Sequence, residues 1–232
     1  MKTSNMLNLR TVASMLDVSA VQANSTKKDV ESYANLAIKY DCKAVFSLPS
    51  FLPFLRDYRE DRGATFLIGA PVGFPAGGAT TEAKVLEAKS YLKFDVDEFD
   101  LMINLGFLLS GMYENVRDDI KAVKDAIGDK VLKVIIECHY LNNDLMKRAV
   151  DAVIDGGAEW VKTGTGWAPT GATLENIAFL KSIVGNKIKI KAAGGIRELE
   201  TIQDMTEIGA ERFGVGSSAK KILEEVADLR YF

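Results

Sequence analysis

The chain has 232 residues, 47% hydrophobic and 26% charged, with 29 basic and 32 acidic side chains and a net charge of −3. That balance predicts no affinity for nucleic acid, no apolar run nears the roughly 20 residues that span a bilayer, and no export signal is expected. With His139 as its one histidine, the chain cannot build a histidine-rich zinc site or a serine–histidine–aspartate triad, so no metal is predicted.

Short apolar runs alternate with amphipathic segments along the whole chain, the pattern of repeated βα units on a parallel sheet. Residues 1–10 precede the pattern as an extra element closing the bottom of the fold. A first strand is expected at 13–17 and a helix at 27–40. The second strand, 44–48, lies just after Cys42 and leads into 49–62, where two prolines predict a loop and partial helix. A strand at 66–72 precedes a helix at 80–92 capped by Thr80, and a strand at 98–104 precedes a helix at 114–126. The fifth strand, 132–137, ends beside Cys138. Two cysteines so far apart in apolar segments suit buried, reduced thiols in a cytoplasmic protein. A helix follows at 144–155 with Asn143 as its start signal. Strands at 160–163, 188–192 and 212–215 alternate with helices at 174–183 (capped by Thr173), 198–208 and 219–227. Eight strands without a linker predict a single closed TIM (β/α)8 barrel over residues 1–232.

Two lysines stand out, each near the end of an apolar run and followed by glycine: Glu159-Trp-Val-Lys-Thr-Gly-Thr-Gly166 and Ile188-Lys-Ile-Lys-Ala-Ala-Gly-Gly-Ile196. An ammonium at the end of a buried strand loses hydration, so its pKa falls, and a second cation nearby lowers it further. Such an amine attacks carbonyls near neutral pH. Strand alternation puts Asp100, Met102 and Asn104 on one face, Lys133, Ile135 and Glu137 on one face, and Asp17 in phase with Ser19. Because the aliphatic face packs under helices, the charged face looks inward. Asp17, Asp100, Glu137, Lys162 and Lys191 are therefore predicted to ring the barrel mouth. Glycines after strands let backbone N–H groups approach an anion closely. Gly164, Thr165 and Gly166, Gly194 and Gly195, and Gly214, Gly216, Ser217 and Ser218 end three consecutive strands, and the last group opens a helix. Amine plus anion cradle predicts an enzyme that forms a Schiff base with a phosphorylated sugar.

The segments Asp97-Glu-Phe-Asp-Leu-Met-Ile-Asn104, Leu132-Lys-Val-Ile-Ile-Glu137, Val161-Lys-Thr-Gly-Thr-Gly166, Lys191-Ala-Ala-Gly-Gly-Ile-Arg197 and Gly73-Phe-Pro-Ala-Gly-Gly-Ala-Thr-Thr-Glu-Ala-Lys84 resemble those of the deoxyribose-phosphate aldolase family. The resemblance runs over nearly the whole chain and is strongest from Val72 onward. It implies a class I aldolase needing no cofactor, with Lys162 as the Schiff-base lysine, Lys191 as the lysine that lowers its pKa, and Asp100 in proton relay. The implied reaction is the reversible cleavage of 2-deoxyribose 5-phosphate to glyceraldehyde 3-phosphate and acetaldehyde. Alternatives are a related aldolase for another phosphorylated sugar, or a non-catalytic phosphosugar-binding barrel. The sequence departs from the family pattern at Asp17-Val-Ser-Ala-Val-Gln22, Phe46-Ser-Leu-Pro49 and Cys138-His-Tyr140, while keeping Asp17 and a hydroxyl at Ser19 as substrate-binding candidates.

Other residues keep two readings. Lys189 is either a second buried cation paired with Glu137 or Asp100, or a strand-start lysine reaching solvent at the barrel bottom. His139 either touches substrate or is an ordinary loop residue. Trp167 either walls the pocket or packs locally, and Tyr231 is a candidate to fold over the mouth. Barrel enzymes often pair, so a homodimer is the expected assembly.

Overall fold

The structure, a computed structural model, describes residues 7–228. Eight parallel strands close a barrel in chain order: β1 Leu16–Ala20, β2 Ala44–Ser47, β3 Leu67–Val72, β4 Glu98–Met102, β5 Val131–Ile135, β6 Trp160–Lys162, β7 Lys189–Ala193 and β8 Arg212–Val215. β1 closes on β8, with Asp17 paired to Gly214 in register. Around the barrel run α1 Leu9–Ser14, α2 Lys27–Tyr40, α3 Leu52–Asp61, α4 Thr81–Tyr91, α5 Leu105–Leu109, α6 Tyr113–Ile127, α7 Asn143–Asp155, α8 Leu174–Val184, α9 Leu199–Ile208 and α10 Ala219–Asp228. No helix among the described residues is long and apolar enough to cross a membrane.

Local chemistry explains most boundaries. Thr26 and Asp29 form a reciprocal capping box at the start of α2, whose Val30, Ala34 and Ala37 then face the core. Thr80 and Thr173 cap α4 and α8 as expected, whereas Asn142, one residue earlier than Asn143, caps α7. The expected extra element lies at 9–14 as α1, with Val12 and Ala13 buried, so β1 begins three residues later than predicted. The stretch 49–62 is a 3-10 turn followed by a ten-residue helix. A proline in the first turn starts a helix rather than breaking it. Residues 1–6 and Tyr231 lie outside the described residues.

The outward faces of the strands are aliphatic: Val18, Ile68, Leu101, Val134, Val161 and Ile190 are all buried under the helices. The barrel interior is different. Phe46 fills its centre, and a side chain at residue 69 would overlap the ring, so Gly69 is required there. Lys191 and Lys133 lie over that ring at 4.0 and 5.1 Å from its centroid. Around it Asp17, Glu98, Asp100, Lys133, Lys191 and Arg212 put buried charge where such barrels mostly hold branched aliphatic side chains.

A second buried ion pair sits in the outer layer. Lys84 of α4, fully buried, donates to Asp119 of α6 at 2.6 Å and to the Met102 carbonyl at 3.0 Å. Removing one partner strands the other charge without water. We expect Asp119→Ala to lower stability by about 3–5 kcal/mol in denaturant titration. The double variant Lys84→Met/Asp119→Leu should recover most of that loss, because it leaves no charge behind.

Candidate active site

Three strands deliver one tightly bonded group to the upper part of the barrel. Lys162 ends β6, Lys191 lies in β7 and Asp100 in β4, all buried. Both ammonium groups donate to the same atom, Asp100 Oδ2, at 2.7 Å from Lys162 and 2.8 Å from Lys191. Beneath them, Asp17 lies 2.6 Å from Lys191 and 2.7 Å from Arg212, which also reaches Glu98 at 3.2 Å. Lys133 is bonded to Glu98 and stands 3.8 Å from Asp100 and 4.0 Å from Asp17.

These pairs connect four cations to three carboxylates: Lys133, Lys162, Lys191 and Arg212 against Asp17, Glu98 and Asp100. One positive charge is in excess in a dry interior. Burial disfavours it, and it is expelled most readily from the cation with fewest partners. Arg212 is not a candidate, since a guanidinium keeps its proton. Burial lowers Lys133 as well, but three carboxylates face it. Lys191 is depressed by burial yet raised overall by Asp100 and Asp17. Lys162 pairs with Asp100 alone. Burial, with the Lys191 charge adding to it against the pull of Asp100, brings its pKa down to about 8. Asp100 is held well below the ordinary carboxylate range because Lys162, Lys191 and Lys133 outweigh its desolvation.

Lys162 opens into a cavity of about 470 Å3. The cradle predicted from the glycines lies on its wall: Thr165, Gly166, Gly194, Gly195, Gly214, Gly216, Ser217 and Ser218. Gly166, Gly194 and Gly195 have φ of 79°, 88° and 80°, which other residues adopt only under strain. α10 begins directly after Ser218, so the positive end of its dipole lies at this wall. Ser218 spends its hydroxyl on the Ile196 carbonyl at 2.7 Å, leaving its position rather than its Oγ proton to the cradle. Ser19 also lines the cavity.

Two predicted positions lie off the cavities, and a third stays at the mouth without joining the lysines. Asp17 is fully buried below the cavity and faces Lys191 and Arg212 instead of the mouth. Gly164 is absent from the cavity wall; a Cβ there would come within 2.6 Å of Glu137 Oε1, so its bareness makes room for that carboxylate. Glu137 lies beyond the end of β5, at φ 51°, and bonds to Thr165 rather than joining the lysines. The sequence reading also passed over Arg197 and Gln22 on the cavity rim, and the buried Glu98, Lys133 and Arg212. Glu98 is in phase with Asp100 and Arg197 follows the Gly194-Gly195 pair, signals that could have found both. Lys189 takes the solvent-facing reading, exposed and 3.6 Å from Glu211. His139 bonds to Thr170 at 2.6 Å and lies on neither of the two cavities at the mouth.

Residues 11–220 match the model of the DeoC/LacD family aldolases. The chain belongs to that family. A deoxyribose-phosphate aldolase of Klebsiella pneumoniae subsp. pneumoniae is 42% identical over 216 residues, covering 92% of this chain and 87% of that protein. A solved structure described as a putative deoxyribose-phosphate aldolase from Coccidioides immitis superposes with a TM-score of 0.90 at 28% identity, covering 96% of this chain and 91% of that one. The deoxyribose phosphate aldolase of Aeropyrum pernix, described as tetrameric, gives 0.84 at 27% identity, with 95% and 93% covered. Within this aldolase the charge count makes a direct prediction. In Lys191→Leu three cations face three carboxylates, so Lys162 keeps its proton to higher pH. A Schiff-base amine attacks only when neutral, so with Lys162 in that role activity rises as pH passes its pKa. The rising limb of the kcat/KM profile should move from about pH 8 upward by roughly 1–2 units. An unmoved limb would show that the two amines are not coupled.

Proposed function

We propose that this chain is a class I deoxyribose-phosphate aldolase, cleaving 2-deoxy-D-ribose 5-phosphate reversibly to D-glyceraldehyde 3-phosphate and acetaldehyde. The observation that carries the reading is Lys162: a buried amine with its pKa near 8, at the floor of a cavity whose far wall is a glycine-rich anion cradle. The family membership and the deoxyribose-phosphate aldolases among its relatives support the choice of substrate.

The chemistry needs only an amine, an anion seat and a proton carrier. The phosphate rests against Gly166, Gly194, Gly195 and the Gly214–Ser218 turn, with Arg197 at the rim adding positive charge. That seat brings the sugar's aldehyde carbon to the Lys162 nitrogen. The neutral amine adds to the carbonyl, water leaves, and a protonated imine forms. Asp100, acting through a water, takes the proton from the hydroxyl on the third carbon as the bond between the second and third carbons breaks. Glyceraldehyde 3-phosphate departs, and the electron pair rests on the second carbon as an enamine. Returning the proton to that carbon and adding water to the imine release acetaldehyde and restore Lys162. Lys191 keeps its charge throughout and holds Asp100 in place. Asp17 supports Lys191 from beneath rather than touching substrate.

Borohydride trapping tests this directly. The wild type incubated with acetaldehyde or 2-deoxyribose 5-phosphate should gain the mass of the reduced adduct on Lys162. Lys162→Met should lose turnover by roughly 10⁴-fold while its circular dichroism stays native, since the two side chains are similar in volume. Faster cleavage of another pentose or hexose phosphate would reassign the substrate while leaving the aldolase chemistry in place.

We also infer a cytoplasmic location and a symmetric assembly. Cys42 and Cys138 are buried free thiols, both pushed up to about 12 by burial foremost, as suits a reducing compartment. Leu86 and Leu109 stand exposed on the outer helices, apolar surface that a homodimer would cover. Light scattering after size exclusion would read the subunit number.

A further inference from the structure

A second cavity of about 310 Å3 opens beside the first, walled by Pro75, Met102, Leu105 and Trp167 with Glu137 and Tyr140, and Thr165 is the one residue common to both. What separates them is a hydrogen-bonded run across the barrel mouth. Glu137, after β5, is buried in a left-handed conformation and accepts from the Thr165 N–H at 3.2 Å and from its hydroxyl. Thr165 Oγ1 accepts from the Trp167 N–H at 3.0 Å. The Trp167 indole N–H in turn donates to the Val21 carbonyl, after β1, at 3.0 Å. The same ring meets Phe74, after β3, edge to face at 5.8 Å. A tryptophan left 41% exposed is thus fixed at both its edge and its backbone, between loops of three separate strands.

Its position matters because of where Lys162 points. The amine reaches from β6 across to Asp100 of β4, and Met102, two residues further along the same face, lines the second cavity. Lys162 lines the first cavity together with Thr165, which also lines the second. With the phosphate seated among the glycines, the open side of the carbonyl carbon is then the Thr165 side, beyond which lie Trp167, Met102 and the Glu137 carboxylate that Thr165 binds. In an imine formed from an aldehyde that side carries only hydrogen. In one formed from a ketone it carries an alkyl group.

We propose that Trp167, held by Glu137 through Thr165, is a specificity-determining residue that excludes ketone donors, and that the second cavity takes a short alkyl group once this barrier is opened. This rests on the aldolase reading of Lys162. The test is borohydride trapping with acetaldehyde and with butanone, scored by mass. The amine adds to either carbonyl, water leaves, and hydride reduces the C=N bond to a stable secondary amine. Wild-type protein should trap acetaldehyde in large preference to butanone. Trp167→Ala should raise the butanone-to-acetaldehyde ratio by at least about tenfold, the scale on which one or two carbons are discriminated by a pocket. Trp167→Phe keeps a ring but loses the bond to Val21, and Glu137→Gln loosens the Thr165 anchor; each should raise the ratio less, and these two carry the test if the alanine variant does not fold. An unchanged ratio with acetaldehyde still trapped overturns this proposal alone. Absence of any acetaldehyde adduct on wild-type Lys162 overturns the aldolase reading and this one with it.

Discussion

One surplus positive charge in a dry barrel organises this molecule. Four basic side chains and three carboxylates share an interior closed off from bulk water, and the structure resolves the mismatch at the amine with a single ion partner. Desolvation alone would depress any of the lysines. What sets Lys162 apart from Lys191 is the distribution of carboxylates, which raises Lys191 from two sides and leaves Lys162 one shared oxygen; Lys133 is lowered too, but it lies off the cavity wall that Lys162 reaches. The lowered pKa of Lys162 is therefore a property of the cluster, not of one residue's surroundings.

The barrel is what lets so many charges coexist. Parallel strands in fixed register stack side chains in layers, so acids and bases from six strands meet without any loop having to bring them there. The lower layer, Asp17, Glu98, Lys133 and Arg212, is bonded internally and lies off the cavity wall. The upper layer borrows its rigidity. Phe46 sits among these charges with its ring face under two ammonium groups, and Gly69 yields the space it needs. Loops above the strands then add a glycine-rich cavity wall on one side and a tethered indole on the other.

The fold was plain from alternation, because eight apolar runs separated by helical patterns leave few other architectures. Lys162, Lys191 and Asp100 were legible too, since each sits inward on an apolar strand near a glycine or polar end. Depth was not. Whether an inward residue lies at the mouth or a layer below depends on how its strand is staggered against its neighbours, and Asp17 pairing with Gly214 is nowhere written in β1 itself. The same ignorance of stagger concealed the partnership of Glu98, Lys133 and Arg212. Strand ends misled in a second way: Glu137 continues the alternation of β5 on paper, but the chain has already turned at that point. For 49–62, the expected loop and partial helix is a 3-10 turn and a ten-residue helix, because a proline in the first turn can start a helix.

The buried charges are also partitioned by chain position. All three acids of the interior come from β1 and β4, and all four bases from β5 through β8. Each half-barrel by itself would carry an unmatched block of one sign at its exposed inner face, repelling a duplicate of itself. Only the pairing of the amino-terminal half with the carboxy-terminal half neutralises both, so a hybrid made by duplicating either half could reproduce the shape but not the interior. The division between anionic and cationic halves makes the two ends of this chain obligate complements.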